Sequence, residues 1–179
     1  MPITADQLEG LTAGFHAQAE KHFRADGKVV PALWFVPDAG TARLVPMPNG
    51  VIGRDQIAEI ARASRPLAIL LTGESWLGSV TIPAEAAARL SLDDIPRPSE
   101  QAERREVIAT RAVGRGPGGG LLHAMRTSLI LRTVFDVQLL PFVIAPDEHR
   151  EDDFGAFLAG LLLGTAQKRQ QRKKKKHKR

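Results

Sequence analysis

The apolar residues of this sequence repeat with two different periods, and the order of those periods constrains the fold more than any other feature. Up to Phe23 they are spaced as on one face of a helix. Thr4 and Gln7 match a capping box at the start of this helix, and Gly27 suits a left-handed residue at its end. The stripe consists of Leu8, Leu11, Phe15, Ala19 and Phe23. From Lys28 the period changes to two, in two segments that a Pro-Asp-Ala-Gly turn separates: 28–36 and 41–47. The sequence therefore begins with a predicted helix and a β-hairpin.

The remaining segments alternate in the same way. A second, short helix is predicted over 54–64, and the apolar run 67–71 is typical of a central strand covered on both faces. Three more strand patterns follow at short intervals, which favours an antiparallel meander: 105–113, 121–132 and 134–143. A last helix, beginning near Glu151, has its apolar residues on one side: Phe154, Phe157, Leu158, Leu161 and Leu162.

This order of elements predicts an α+β fold, with a largely antiparallel sheet of about six strands on which N-terminal, middle and C-terminal helices pack. The 179 residues suffice for one hydrophobic core, so we expect one globular domain over 1–167 and a polybasic tail over 168–179. The absence of cysteine excludes disulfides, thiolate metal sites and a cysteine nucleophile. The first residues do not resemble a secretion signal, and no apolar run approaches the roughly 18 residues of a membrane span. We therefore expect a cytoplasmic protein without a membrane partner.

Positive charge is concentrated in the last twelve residues. Nine of the twelve are basic: Lys168, Arg169, Arg172, Lys173, Lys174, Lys175, Lys176, Lys178 and Arg179. Of 25 Lys and Arg, 16 remain elsewhere against 20 Asp and Glu, so the rest of the chain is slightly anionic. The segment lacks aromatic residues and offers no base stacking, so we predict non-specific binding to RNA or DNA. A solubilising terminus or, in a eukaryotic cell, a nuclear targeting signal would have the same composition.

Gly73-Glu74-Ser75 follows the apolar strand as a nucleophile elbow would. An elbow needs a second glycine two residues after the serine, where this chain has Leu77, so we predict that Ser75 lies in an ordinary turn. Glu74 precedes Trp76 and is expected to be a partly buried carboxylate, which requires a positive partner or a raised pKa. Arg104 or Arg105 could supply the charge. The pair is then either a structural ion pair or the acid/base and substrate-orienting groups of a small enzyme.

Two further motifs predict no cofactor. The stretch 114–120 is rich in glycine but lacks the lysine and Ser/Thr of a phosphate-binding loop, so we expect a flexible hairpin loop. The five histidines do not form a metal motif, because His16 and His22 lie on different faces of the first helix and His123 lies alone in a strand. We therefore expect neither a metal nor an organic cofactor.

Three short motifs occur in order between residues 28 and 143: Glu-x-Trp at 74–76, Pro-Ser-Glu at 98–100, and an Arg and a Glu that open the next strand at Arg104 and Glu106. By these motifs the chain resembles a group of small uncharacterised proteins of prokaryotes and their phages. Ala102 stands where that group leads us to expect a proline. The resemblance implies an α+β domain and transfers no catalytic role.

These patterns lead to two functional hypotheses of different classes. The first is a non-enzymatic binding or scaffold module whose tail contacts nucleic acid or another polyanion. The alternative is a small, hydrolase-like enzyme that uses Glu74 as acid or base and Arg104 or Arg105 to orient an anionic substrate. A homo-oligomer built through the first hairpin, with Trp34 exposed, is a further possibility. We expect the first hypothesis to hold.

Overall fold

The computed structural model describes residues 2–47, 54–77, 100–142 and 155–164. Within these ranges lie three helices: α1 (Ala5–Asp26), α2 (Arg54–Ser64) and α3 (155–164). The strands are β1 (Ala32–Val36), β2 (Arg43–Pro46), β3 (Ala68–Leu77), β4 (Arg105–Arg115), β5 (Leu121–Arg132) and β6 (Val137–Phe142). The predicted boundary between domain and tail, and the segment 78–99, fall outside the described residues.

The six strands form one antiparallel sheet in the order β2-β1-β3-β4-β5-β6. Strands that follow one another from β3 to β6 are neighbours in space, as expected for strands that are close in sequence. The predicted α+β class, the first hairpin and the meander are confirmed. The stretch 114–120 joins β4 to β5 through a single 3-10 turn at Pro117–Gly119, so its predicted position in a hairpin connection is also correct.

α1 has the ends that its sequence predicts. Gln7 N–H donates to Thr4 Oγ1 at 3.2 Å, and Thr4 N–H donates to Gln7 Oε1 at 2.9 Å, which completes the capping box. Gly27 has φ 69° and its N–H donates to the carbonyl of Phe23, so a residue that tolerates the left-handed conformation ends the helix. None of the helices in the described part of the chain is long and apolar enough to cross a membrane.

Helices cover both faces of the sheet, because successive residues of a strand point to opposite sides. On the α1 face, Leu70 and Ala112 pack with Ile3 and Leu8. On the opposite face a larger buried cluster joins the sheet to α2 and α3: Leu33, Phe35, Ile69, Val113, Ile57, Ala61, Leu158 and Leu162. β3 is therefore a central strand covered on both sides, as its uninterrupted apolar run predicts.

β3 is longer than predicted. The sequence predicts a strand over 67–71 and a turn at Ser75, but β3 continues to Leu77 because β4 pairs with it from Ala68↔Gly114 to Leu77↔Arg105. The prediction that Ser75 lies in a turn is wrong, since Ser75 is paired with Val107 inside the strand. The regular ladder supplies partners to the Gly-Glu-Ser-Trp stretch, and this tertiary pairing overrides the turn preference of Gly73.

α3 lies against the sheet through the residues that its periodicity predicts. Leu158, Leu161 and Leu162 are buried, whereas Phe154 falls outside the described residues. Arg115 Nη2 donates to the carbonyl oxygen of Leu162 at 2.8 Å. A guanidinium at this position supplies a donor and a positive charge to the carboxyl end of a helix. The end of α3 is thus tied to the end of β4.

Trp34 is half-buried, whereas the homo-oligomer possibility supposed that it is exposed. Its ring centroid lies 4.6 Å from that of Phe15 in α1. The α1 face of β1 is therefore partly covered by the protein's own first helix.

We predict that Gly114→Ala lowers the free energy of unfolding by about 1–3 kcal/mol, because overpacking a filled core costs that much. A Cβ at Gly114 would lie 2.7 Å from Ile3 Cγ2 and 3.2 Å from Leu8 Cδ1. Gly14→Ala is the matched control, since Gly14 is exposed in α1 and no atom lies within 4 Å of its Cβ position. This control substitution should raise the free energy of unfolding by up to about 1 kcal/mol through helix propensity. Urea unfolding measures both; equal stability of the Gly114 variant and the wild type would contradict the close packing.

Candidate functional site

The residues predicted to form a site lie where β3 and β5 end and β4 and β6 begin, a region that we term the Trp76 end of the sheet. Glu74 and Trp76 are alternate residues of β3 and share the α1 face. Glu106 is the cross-strand partner of Trp76. The β3–β4 ladder therefore places Glu106 beside Trp76, on the face that also carries Glu74.

Glu74 holds the chain segment that leads into β1. Its Oε1 accepts a hydrogen bond from the backbone N–H of Val29 at 2.5 Å. Val29 precedes the first residue of β1 by three positions, where its N–H has no partner in the sheet ladder. The carboxylate thus supplies the acceptor that the strand ladder does not, which is a structural role for the residue predicted as an acid or base.

Glu106 and Arg132 form a bidentate ion pair across β4 and β5. Arg132 Nε and Nη2 donate to the two carboxylate oxygens, each at 2.8 Å. The hydrogen bonds from Arg132 hold the pKa of Glu106 below its usual value. The pKa of Arg132 is raised, first by the hydrogen bonds to Glu106 and then, among smaller contributions, by the charge of Glu74. Arg132 also lies 5.6 Å above the ring of Phe23.

The two arginines that were predicted as substrate-orienting groups point to different sides of the sheet. The Arg104 guanidinium lies 5.1 Å from the ring centroid of Trp76, on the α1 face. The Arg105 guanidinium lies 5.8 Å from the ring centroid of Phe142, on the opposite face. Since Glu74 shares the face of Trp76, the structure places Arg104 on its side of the sheet and Arg105 on the other side.

A buried polar cluster that the sequence did not predict lies under α1. His16 Nδ1 is 3.1 Å from Thr110 Oγ1 and Nε2 is 2.9 Å from Ser128 Oγ. Ser128 in turn donates to Glu20 Oε1. Burial lowers the pKa of His16; the charge of Glu20 raises it and that of Arg126 lowers it further, both to a smaller extent. A neutral, hydrogen-bonded imidazole between helix and sheet results.

This cluster does not have the geometry of a catalytic triad. In a triad the acid orients the histidine through the ring nitrogen that does not face the serine, whereas Glu20 Oε1 lies 3.8 Å from the same Nε2 that contacts Ser128. The side chains are also closed off, because Ser128 is only 2% exposed and His16 only 6%. We assign the cluster to packing of α1 on the sheet.

Helical periodicity could have predicted that Thr12 and His16 are buried. The buried residues of α1 are Leu8, Thr12, His16, Ala19 and Phe23, so the helix is rotated relative to the predicted stripe and places Leu11 and Phe15 at its border. Residues 12 and 16 follow Leu8 at four-residue intervals, which is the spacing of one helix face. They can be buried because Thr110 and Ser128 in the sheet provide polar partners.

No group of three or more His, Asp or Glu within the described ranges could hold a metal ion. The nine basic tail residues fall outside those ranges. No family model, no curated protein and no solved structure matches the chain. The resemblance to small prokaryotic and phage proteins therefore stays a prediction.

We predict that acid pH destabilises the protein through His16. Because burial lowers the pKa of folded His16 below its ordinary value of 6.5, the unfolded state binds the proton more strongly. The stabilisation is complete above pH 6.5 and is lost as the pH falls through the folded-state pKa. Urea unfolding at about pH 7.5 and about pH 5.5 should show a smaller pH dependence for His16→Gln than for the wild type. His22→Gln, exposed on the same helix, is the control; identical slopes for all three proteins would contradict the assignment.

We predict that Glu74→Ala lowers the free energy of unfolding by about 1 kcal/mol, because the Val29 N–H loses its acceptor. Glu74→Gln keeps a side-chain oxygen that can accept the bond and should retain most of the stability. Glu59→Ala, at an exposed position of α2, controls for the loss of a surface carboxylate. Urea unfolding measures the three variants. A Glu74→Ala protein as stable as the wild type would show that the carboxylate does not hold the segment before β1.

Proposed function

We propose that this chain is a non-enzymatic binding or scaffold module whose segment 168–179 contacts nucleic acid or another polyanion without sequence specificity. The observation that carries the proposal is the density of positive charge: nine of those twelve residues are Lys or Arg, and none is acidic. A cationic segment of this kind gains affinity by releasing counterions from phosphates, which does not depend on base sequence.

The distribution of charge supports binding through this segment and not through the whole surface. The rest of the chain has 20 acidic and 16 basic residues, so it does not attract a polyanion as a body. Electrostatic attraction of a polyanion is then governed by one segment. We propose that the protein binds its polyanion in the cytoplasm.

The arrangement at the Trp76 end favours the module over the enzyme. An acid/base role needs a carboxylate that is available to substrate, but Glu74 accepts a bond from Val29 N–H and Glu106 is neutralised by Arg132. A substrate clamp needs convergent cations, but Arg104 and Arg105 lie over rings on opposite faces. The side chains of the predicted enzyme site are engaged in holding strands and rings together.

We predict salt-dependent binding that is lost when the tail charge is removed. The variant is the full-length chain with all nine basic residues of 168–179 replaced by Gln, which we term the tail-neutral variant. Fluorescence anisotropy with labelled mixed-sequence RNA and DNA, at two salt concentrations, measures the affinity. For the wild type, the logarithm of the association constant should fall with the logarithm of salt by about 0.9 per duplex phosphate neutralised.

Two outcomes decide the proposal. Affinities that are equal for unrelated sequences, and lost in the tail-neutral variant, support it. Binding by the tail-neutral variant that equals that of the wild type and does not respond to salt would end it, since the charge of 168–179 would then contribute nothing.

A further inference from the structure

Exposed apolar side chains are concentrated at the Trp76 end of the sheet. Of the nine large apolar side chains that are exposed in the described part of the chain, six belong to this end: Val30, Trp76, Leu131, Val134, Phe135 and Val137. Isolated apolar residues on a surface are ordinary, but a group of them at one end of a sheet indicates a binding surface.

The most exposed of these residues lie at the tip of the β5–β6 hairpin. Val134 is 95% and Phe135 97% exposed. The turn that presents them is held by polar side chains: Thr133 Oγ1 accepts from the N–H of Asp136 at 3.0 Å and from that of Phe135 at 3.3 Å. Asp136 Oδ1 accepts from Val137 N–H at 2.7 Å. The two apolar side chains are therefore presented to solvent on a backbone that is already ordered.

The tip projects beyond the rest of the sheet. Pairing of β4 with β5 ends at Val107↔Leu129, whereas β5 continues to Arg132 and in that last part pairs only with β6. A two-stranded ribbon thus carries Phe135 past the start of β4. Its ring is free on both faces, as stacking against a flat ligand requires.

A cation accompanies the tryptophan at this end. Arg104 lies over Trp76, which is itself 41% exposed. Proteins that bind single-stranded nucleic acid combine aromatic platforms for the bases with arginine and lysine for the backbone. Arginine planes also stack directly on unpaired bases. The composition of the Trp76 end matches this chemistry, which the tail lacks because it has no aromatic residue.

Strand addition by a second copy is disfavoured at the neighbouring edge. Thr133 N–H donates to the carbonyl of Asp136, so Asp136 directs its backbone groups toward β5. Because this direction alternates along an antiparallel strand, the backbone groups of Val137, Leu139 and Pro141 point away from β5. The Val137 N–H is taken by Asp136, and proline has none. Only Leu139 offers an outward donor in β6, which is too few for a continuous ladder.

We infer that the Trp76 end is a stacking site for unpaired bases of single-stranded RNA or DNA, with Trp76 and Phe135 as platforms. This inference rests on the proposed function and deepens it: the tail supplies affinity for any polyanion, and the Trp76 end supplies a preference for single strands over duplexes. A duplex does not expose the faces of its bases, so it engages the tail alone.

The spacing of the two sites fits one ligand strand. The end of α3 is tied to Arg115, and β4 separates Arg115 from Arg105 by ten residues, or about 33 Å at roughly 3.3 Å per residue. Fifteen residues follow Gly164, and a chain of that length spans at most about 50 Å. Both sites can therefore contact the same single strand, and the second contact gains from a high effective concentration.

The test compares Phe135→Ala with Leu163→Ala, a control at an exposed apolar position of α3. Anisotropy is measured with a mixed-sequence single strand and with the corresponding duplex. The strand has about 20 nucleotides, so that it is long enough to contact both the stacking site and the tail. We expect Phe135→Ala to weaken single-strand binding at least about fivefold and to leave duplex binding unchanged, because one stacked base contributes about 1–3 kcal/mol. Phe135→Trp should restore the preference, and Leu163→Ala should change neither affinity.

A second readout reports contact directly. The chain has two tryptophans, so Trp34→Phe leaves Trp76 as the single tryptophan. Its fluorescence should be quenched by the single strand and not by the duplex.

The outcomes separate the two proposals. If the tail-neutral variant loses all binding while Phe135→Ala retains the single-strand preference and Trp76 is not quenched, the stacking site is overturned and the tail proposal stands. If the wild type binds neither ligand, both are overturned. If Phe135→Ala lowers the mass measured by light scattering without changing affinity, the tip is an interface between copies and the stacking site is again overturned.

Discussion

The antiparallel pairing of β3 with β4 determines where nearly every other part of the protein lies. Its ten residue pairs run from Ala68↔Gly114 to Leu77↔Arg105 through the centre of the sheet. Because strand residues alternate between faces, this single register directs Leu70 and Ala112 toward α1 and Ile69 and Val113 toward α2 and α3. A shift by one residue would exchange the two cores, so the three helices can dock only in this register.

The same register explains how polar groups come to lie inside the protein. Thr110 of β4 points to α1 at the level of His16, and Ser128 of the adjacent strand completes the site. A histidine buried there without partners would cost free energy, but with two hydroxyls it fits between apolar clusters on either side. The middle of α1 contacts the sheet through polar groups, and its two ends contact the sheet through apolar ones.

The sequence predicts the fold class, the element order and the capped first helix, because each rests on local periodicity or on residues a few positions apart. What it does not predict depends on partners distant in the chain. Gly73 to Ser75 have turn composition, yet the β4 ladder keeps them in a strand. His16 could be placed on the buried face only by knowing that Thr110 and Ser128 lie beneath it. Arg104 and Arg105 were offered as equivalent partners of Glu74, because the sequence does not show where β4 starts. Strand alternation from that start places Arg104 on the face of Glu74 and Arg105 on the other face.

The two edge strands of the sheet determine how readily a strand of a neighbouring molecule could pair with it. β6 contains no charged residue, and an uncharged edge strand is ordinarily prone to join the sheet of a neighbouring molecule. Here Asp136 and Pro141 remove two of its three outward donors, and β2 at the other edge is only four residues long and ends in proline. Both edges of the sheet therefore offer few free backbone donors, which disfavours the addition of a strand from a neighbouring molecule at either edge.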